Sequence, residues 1–150
     1  MHERFGHITP APCAAHCIDL CLEDICKLEH AKFVYENAKD ALQFVRNHDR
    51  LLAEFKEHTT KAIIIPGNTR FKHVYTMLGR ALDIKSAMRK TIVCDAFEEL
   101  LHHGKPQVRQ HAEDVKHHIL DDELWRHAMG LVAVGKPLCE LLDFTNASVR

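Results

Sequence analysis

The sequence has few aromatic residues, no long apolar run and almost no net charge. One tryptophan and two tyrosines occur in 150 residues, and no apolar stretch is long enough for a membrane-spanning helix. The first residues, MHERFGHITPAPC, lack the cationic start and apolar stretch of a secretory signal. Because 46% of the residues are hydrophobic and 27% are charged, we expect one soluble, intracellular globular domain without membrane partners.

Charge is unevenly distributed along the chain. The formal net charge of -1 gives no strong overall attraction to nucleic acid or membranes, but residues 61–90 contain seven Lys or Arg and one acidic residue. This local surplus could attract phosphate, although a solvated helix face explains it equally well. The cations are predicted to point in diverging directions; they include Lys61, Lys72, Arg80, Lys85, Arg89 and Lys90.

Four of the six cysteines lie between residues 13 and 26. Because the sequence shows no export signal, we expect these cysteines to be reduced thiols. Cys13 and His16 have the spacing of a zinc-ligand pair, but one helix presents its ligands in a row and no second pair occurs downstream. We therefore predict no metal site and interpret Cys17, Cys21 and Cys26 as small apolar residues. A zinc-stabilised helical domain is the alternative, whereas a thiol hydrolase lacks an identifiable third catalytic group.

Apolar residues recur at helical spacing through most of the chain. The pattern predicts helices over 14–28 and 30–47, and a shorter one capped by Asp49. The stretch KAIIIPGNTR interrupts it with residues that favour extended backbone and a turn.

The second half of the chain is predicted to be helical as well. A helix capped by Thr69 is expected to reach Lys90, and two short helices are expected on either side of a loop at 104–106. A last helix follows Asp121, with Trp125 as its buried anchor and Pro137 kinking or dividing it.

Three segments together resemble the hAT superfamily of transposases, in the plant-type branch whose members often carry BED zinc fingers. They are TPAPCAAHCIDLCLEDICKL (9–28), PGNTRF (66–71) and ILDDELWRHAMGLVAVGKPLCELLDF (119–144). The resemblance spans residues 8 to 145 and implies a predominantly α-helical chain: a helical insertion plus a remnant of a ribonuclease H-like core. It predicts a single truncated region with four parts, namely an irregular lead-in (1–12), helices with the Cys-x2-His motif (13–60), a basic turn and helix (61–90) and a helical insertion segment (91–150).

The resemblance also implies a chain that does not cut DNA. In the family, three acidic residues hold the catalytic metal ions, and the segments that carry them lie upstream of the Cys-x2-His motif and downstream of the insertion. We therefore expect a non-catalytic fragment with no cofactor of its own, no small-molecule substrate and a nuclear location.

The motif residues indicate where such a fragment would contact DNA. Cys13 and His16 match the Cys-x2-His motif, and Arg70 matches the arginine of the later motif. Phe71 stands where many hAT enzymes have a base-stacking tryptophan, although core packing is its simpler interpretation. We predict residual DNA binding through His16, Arg70, Phe71 and Lys72, with Cys13 and Trp125 as motif or structural residues. The alternative is a helical interaction module that associates with itself or with a full-length transposase relative.

Overall fold

The computed structural model describes residues 13–67 and 71–148. These residues form eight α-helices and no β-strand. The prediction of a predominantly α-helical protein is therefore confirmed. The predicted remnant of a ribonuclease H-like core gains no support, since these residues contain no strand. The helices are α1 (Ala14–Lys27), α2 (Glu29–Asn47), α3 (Asp49–His58), α4 (Lys72–Asp83), α5 (Lys85–Thr91), α6 (Asp95–His103), α7 (Pro106–Leu120) and α8 (Asp122–Ser148).

Two long helices organise the packing. The helix α8 packs along α4 and α1 and also touches α2, while α2 contacts α7, α3 and α4 as well. The buried faces of these helices share one core, because the apolar stripe of each amphipathic helix must be covered by its neighbours. Fully buried members of this core include Leu22, Leu42, Phe55, Leu78, Met88, Phe97 and Ile119.

The predicted helix from Thr69 to Lys90 is divided in the structure. The helix α4 ends at Asp83 and α5 begins at Lys85, with the fully buried Ile84 between them at φ −101° and ψ 6°. The amide of Ile84 still donates to the Arg80 carbonyl, so this backbone hydrogen bond is retained at the break between α4 and α5. It allows α5 to pack on α3 while α4 packs on α8. Thr69, the predicted cap, lies outside the described residues.

The last helix passes through Pro137 without being divided, contrary to one of the two predicted outcomes. Proline lacks the amide that would bond to the carbonyl four residues earlier, which belongs to Ala133. Both Pro137 and Ala133 are exposed, so water can satisfy the freed carbonyl. No described helix is both long enough and apolar enough to span a membrane.

Residues 59–67 connect α3 to the second half of the fold without helix or strand. Ile63 and Ile65 are half-buried against the core, and Arg80 donates a hydrogen bond of 3.0 Å to the Ala62 carbonyl. The predicted interruption of helical structure at the three isoleucines is confirmed.

Candidate functional site

A cleft of about 470 Å³ lies where the end of α1, the first half of α2 and the start of α4 meet. It combines two aromatic rings with two lysines, which suits a ligand that has flat faces and negative charge. The lining residues are Cys26, Lys27, Lys32, Tyr35, Glu36, Gly67, Phe71 and Val74.

Phe71 contributes one of the rings. It directly precedes α4, where its carbonyl accepts a hydrogen bond of 3.0 Å from the Val74 amide. Its side chain is 37% exposed, so Phe71 belongs to the cleft surface and not to the core that its position in the apolar stripe suggested. Gly67 also lines this cleft. Arg70, the predicted phosphate contact between them in sequence, lies outside the described residues.

The cleft lysines form only surface ion pairs. Lys27 Nζ is 2.7 Å from Glu23 Oε1, and a hydrogen bond to this carboxylate raises the pKa of Lys27. Lys32 Nζ is 3.8 Å from Glu36 Oε1. Both lysine side chains are more than 60% exposed. Since exposed pairs of this kind contribute little stability, a phosphate can replace either carboxylate at small cost.

The structure does not bring the Cys-x2-His motif to the cleft. Cys13 precedes α1 and His16 lies in its first turn, both exposed, whereas Cys26 lines the cleft near the other end of the helix. The ten residues between His16 and Cys26 correspond to about 15 Å along a helix axis. A ligand that touches Phe71 and His16 together must therefore extend along most of α1.

The cysteine prediction was partly wrong. Cys17 and Cys21 are exposed and so do not act as buried apolar residues, whereas Cys26 packs against the core. The reason is that the buried stripe of α1 is narrow: within this helix only Ile18 and Leu22 are buried. Burial raises the pKa of the Cys26 thiol, which opposes the reactivity that a nucleophile requires.

Most cations of the basic segment have partners within the molecule. Lys61 forms an ion pair with Asp83, and Arg80 donates a hydrogen bond to the Ala62 carbonyl. The remaining pairs join this segment to the carboxyl-terminal helix, namely Lys72 with Asp143 and both Lys85 and Arg89 with Asp122. Asp122 and Asp143, which lie outside the segment, thus offset part of the positive surplus of residues 61–90 and hold three of its cations against α8.

Arg89 also holds the end of α7. Its Nε donates to the Ile119 carbonyl at 3.2 Å, and its Nη2 donates to Asp122 Oδ1 at 2.7 Å. This guanidinium lowers the pKa of the Asp122 carboxyl. The Arg89 guanidinium therefore contacts a carbonyl at the C-terminal end of α7 and an acidic residue in the first turn of α8. Helix dipoles favour a cation at a C-terminal end and an anion at an N-terminal end.

Trp125 is buried, as predicted for an anchor of the last helix. It is 4% exposed, and its indole Nε1 donates a hydrogen bond of 2.8 Å to the Ile119 carbonyl. Lys85 Nζ lies over the ring, 5.6 Å from its centroid. Trp125 thus fixes the turn between α7 and α8 and leaves no face for a base.

The described residues do not fit a metal centre. Among them, no three His, Cys, Asp or Glu side chains are grouped so as to hold an ion. Neither the zinc alternative nor a three-carboxylate cleavage site gains support from the side chains of 13–67 and 71–148.

A second surface was not predicted from the sequence: the solvent side of α8. Exposed apolar side chains follow it for several turns, with Met129 at 59%, Val134 at 55%, Leu141 at 49% and Phe144 at 69% exposure. We call this surface the α8 face; it also contains Arg126, Gly130, Ala133, Pro137 and Glu140, all exposed.

The signal for the α8 face was present in the sequence. Apolar residues occur around the whole circumference of α8, a property of helices that are covered on every side, yet only the α4, α1 and α2 side is covered here. Contiguous exposed apolar surface of this kind marks interaction sites in soluble proteins.

Comparison with known proteins identifies no relative: no protein-family model, curated protein or solved structure matches the chain.

Proposed function

We propose that this chain is a helical segment of a hAT-type transposase that binds DNA and does not cut it. The order of the Cys-x2-His, Thr-Arg-Phe and Asp-Asp-Glu-x-Trp motifs supports this assignment, and the all-helical fold is compatible with the helical insertion of such an enzyme. On this proposal the segment works in the nucleus without a cofactor of its own, and its DNA contacts centre on the cleft beside Phe71.

The observation that carries the DNA-binding role is the joint presence of Phe71, Tyr35, Lys27 and Lys32 on one cleft. Every base has a flat face that stacks on an aromatic ring, and lysines hold the phosphates that flank it. Paired duplex bases are not free to stack in this way. The cleft therefore suits an extruded or single-stranded nucleotide better than an intact duplex.

Fluorescence anisotropy with labelled hairpin, single-stranded and duplex DNA at low salt tests the proposal. We expect the hairpin and the single strand to bind more tightly than the duplex, with affinity falling as salt increases. Phe71→Ala should weaken binding by about tenfold, the effect of losing one stacked base. Phe33→Ala, which removes an exposed ring outside the cleft, is the matched control and should leave affinity unchanged.

Two results would count against this role. One is the absence of salt-sensitive binding by the intact chain. The other is binding that neither Phe71→Ala nor Arg70→Ala alters, since the contact would then lie elsewhere. Of the two variants, Arg70→Ala examines the family motif and Phe71→Ala examines the cleft.

A second candidate function is a transposase-derived module for protein association. The α8 face favours it, because four large apolar side chains on one solvent-facing helix side, each about half exposed or more, have no other evident role. In this role the chain associates with a further copy of itself or with a full-length relative.

A further inference from the structure

We infer that the cleft beside Phe71 selects guanine, because Lys32 and Glu36 on its wall complement the Watson–Crick edge of that base. This inference rests on the proposed DNA-binding function and names the base that the cleft takes. Lys32, Glu36 and the Tyr35 ring all line the cleft, so that groups able to read a base edge lie beside a ring on which the base can stack.

Lys32 and Glu36 are neighbours on one face of α2. Side chains four residues apart on a helix lie next to each other, and Lys32 Nζ is 3.8 Å from Glu36 Oε1. Both side chains are more than half exposed, so a ligand can reach their charged ends. The pair therefore presents a hydrogen-bond donor beside the two acceptor oxygens of a carboxylate.

The Watson–Crick edge of guanine carries the opposite pattern. Its O6 atom accepts a hydrogen bond, and the adjacent N1–H and N2–H groups both donate. An ionised carboxylate has two acceptor oxygens and no proton to donate, so Glu36 can accept from N1–H and N2–H while Lys32 donates to O6. Hydrogen bonds to ionised groups are stronger than those between neutral groups, which favours this arrangement further.

The other three bases match the pair less well. Adenine and cytosine each place one N–H donor beside a ring nitrogen that accepts, and this nitrogen would face a carboxylate oxygen of Glu36. Thymine has a single N–H donor between two carbonyl oxygens. Because two acceptors that face each other repel and stay unpaired, only the guanine edge satisfies both oxygens of Glu36.

Aromatic rings hold the base beside this pair. Tyr35 lies between Lys32 and Glu36 in sequence, and Lys39 Nζ lies over its ring, 5.6 Å from the centroid. Phe71 supplies a second ring from the start of α4. A base that stacks in the cleft therefore has the charged pair in the same cleft to read its edge.

The two cleft lysines should have different roles. Lys27 Nζ is 2.7 Å from Glu23 Oε1 on α1, whereas Lys32 is paired with Glu36, which lines the cleft. On this inference Lys27 holds a flanking phosphate, and Lys32 contributes to the choice of base. Phosphate contacts add affinity for every sequence, while base-edge contacts distinguish between sequences.

Fluorescence anisotropy at low salt, with four hairpins that differ in one unpaired loop base, tests the inference. We expect the guanine hairpin to bind about tenfold more tightly than the adenine hairpin, as is typical of a bidentate base contact. Adenine is the informative comparison, since both purines offer a similar face for stacking. Hypoxanthine at this position lacks the N2 amino group and should lose most of the preference. By contrast, 7-deazaguanine keeps the Watson–Crick edge and should retain it.

Glu36→Gln is the decisive variant. An amide offers one acceptor and one donor, which is the complement of the adenine edge, so the variant should lose the preference for guanine and bind adenine at least as tightly. Glu113→Gln removes an exposed carboxylate from α7 instead and should retain the preference. Lys32→Met should also reduce the preference, whereas Lys27→Met should weaken binding of all four hairpins equally.

The outcomes separate this inference from the function on which it rests. Equal affinity for the four hairpins, with binding that is salt-sensitive and weakened by Phe71→Ala, would overturn guanine selection and leave the DNA-binding role in place. A guanine preference that persists in Glu36→Gln would overturn the assignment of Glu36 as the residue that selects the base. A chain that binds none of the hairpins would overturn both proposals.

Discussion

The ring of Tyr75 in α4 packs directly on the backbone of α8 at Gly135. A Cβ atom at position 135 would lie 2.7 Å from Tyr75 Cγ and closer still to two other ring carbons. The same side chain reaches α1, where its hydroxyl donates a hydrogen bond of 3.1 Å to the Leu22 carbonyl and accepts one from the Cys26 thiol. Tyr75 thus joins the three helices on which the α8 face depends for its support.

Replacement of Gly135 by alanine should destabilise the protein by about 1–3 kcal/mol, the usual cost of forcing a methyl group into a packed site. The ring is 4% exposed and cannot move aside without disturbing α1. Urea denaturation followed by circular dichroism measures the effect.

Gly79→Ala is the control for that substitution, since a Cβ at Gly79 meets no atom within 4 Å. It should stabilise the chain by about 0.5–1 kcal/mol through helix propensity alone. Equal effects of the two substitutions would show that the Tyr75 contact does not determine the cost at position 135.

Tyr75 should also make the protein sensitive to alkaline pH. Burial raises the pKa of its hydroxyl above the ordinary value of 10.0, and the hydrogen bond from Cys26 raises it further. In the unfolded chain the hydroxyl ionises near pH 10, so the free energy of unfolding should be fully retained below this pH and fall as the pH rises beyond it.

Urea denaturation across pH 8 to 11 tests this dependence. The decline above about pH 10 should be shallower in Tyr75→Phe, which has no hydroxyl to ionise. In Tyr35→Phe, where Tyr75 is the only tyrosine, the absorbance of tyrosinate should appear together with unfolding. Its appearance while the chain is still folded would contradict the pKa assignment.

Arg89→Ala should destabilise the protein by about 1 kcal/mol or more, because the end of α7 loses its cationic hydrogen-bond donor. Lys90→Ala is the control: Lys90 is exposed and adjacent in sequence, and its side chain makes no hydrogen bond or ion pair with the described residues. Thermal unfolding should therefore separate the two variants clearly. Similar melting temperatures would mean that the contacts of Arg89 with Ile119 and Asp122 contribute nothing measurable.

The helices of this protein could largely be predicted from the sequence. The prediction of a helix over 30–47 agrees with α2 to within one residue, because apolar spacing is a local property that each turn repeats. The break at Ile84 could not be predicted in this way, since the apolar stripe continues on both sides of it. Its cause is the packing of α4 and α5 on different helices, which no local pattern encodes.

The ion pairs of the basic segment could not be predicted from the sequence either. Lys72 meets Asp143 across 71 residues of sequence and Arg89 meets Asp122 across 33, so a count of charges over residues 61–90 could not show that these two cations are paired. The exposure of Phe71 on the cleft could not be predicted in this way either, because its position at the start of an apolar helix stripe favoured core packing.

The connection between Thr59 and Gly67 packs Ile63 and Ile65 on the core, but the helices on its two sides also hold one another directly. The helices on either side of it, α1 to α3 and α4 to α8, are interleaved, with α8 lying on α1 and α7 lying on α2. Cleavage of the peptide bond after Ala62 would consequently leave two polypeptides that still bury one another's apolar stripes. The two polypeptides, residues 1–62 and 63–150, should therefore reassemble when they are produced separately and mixed.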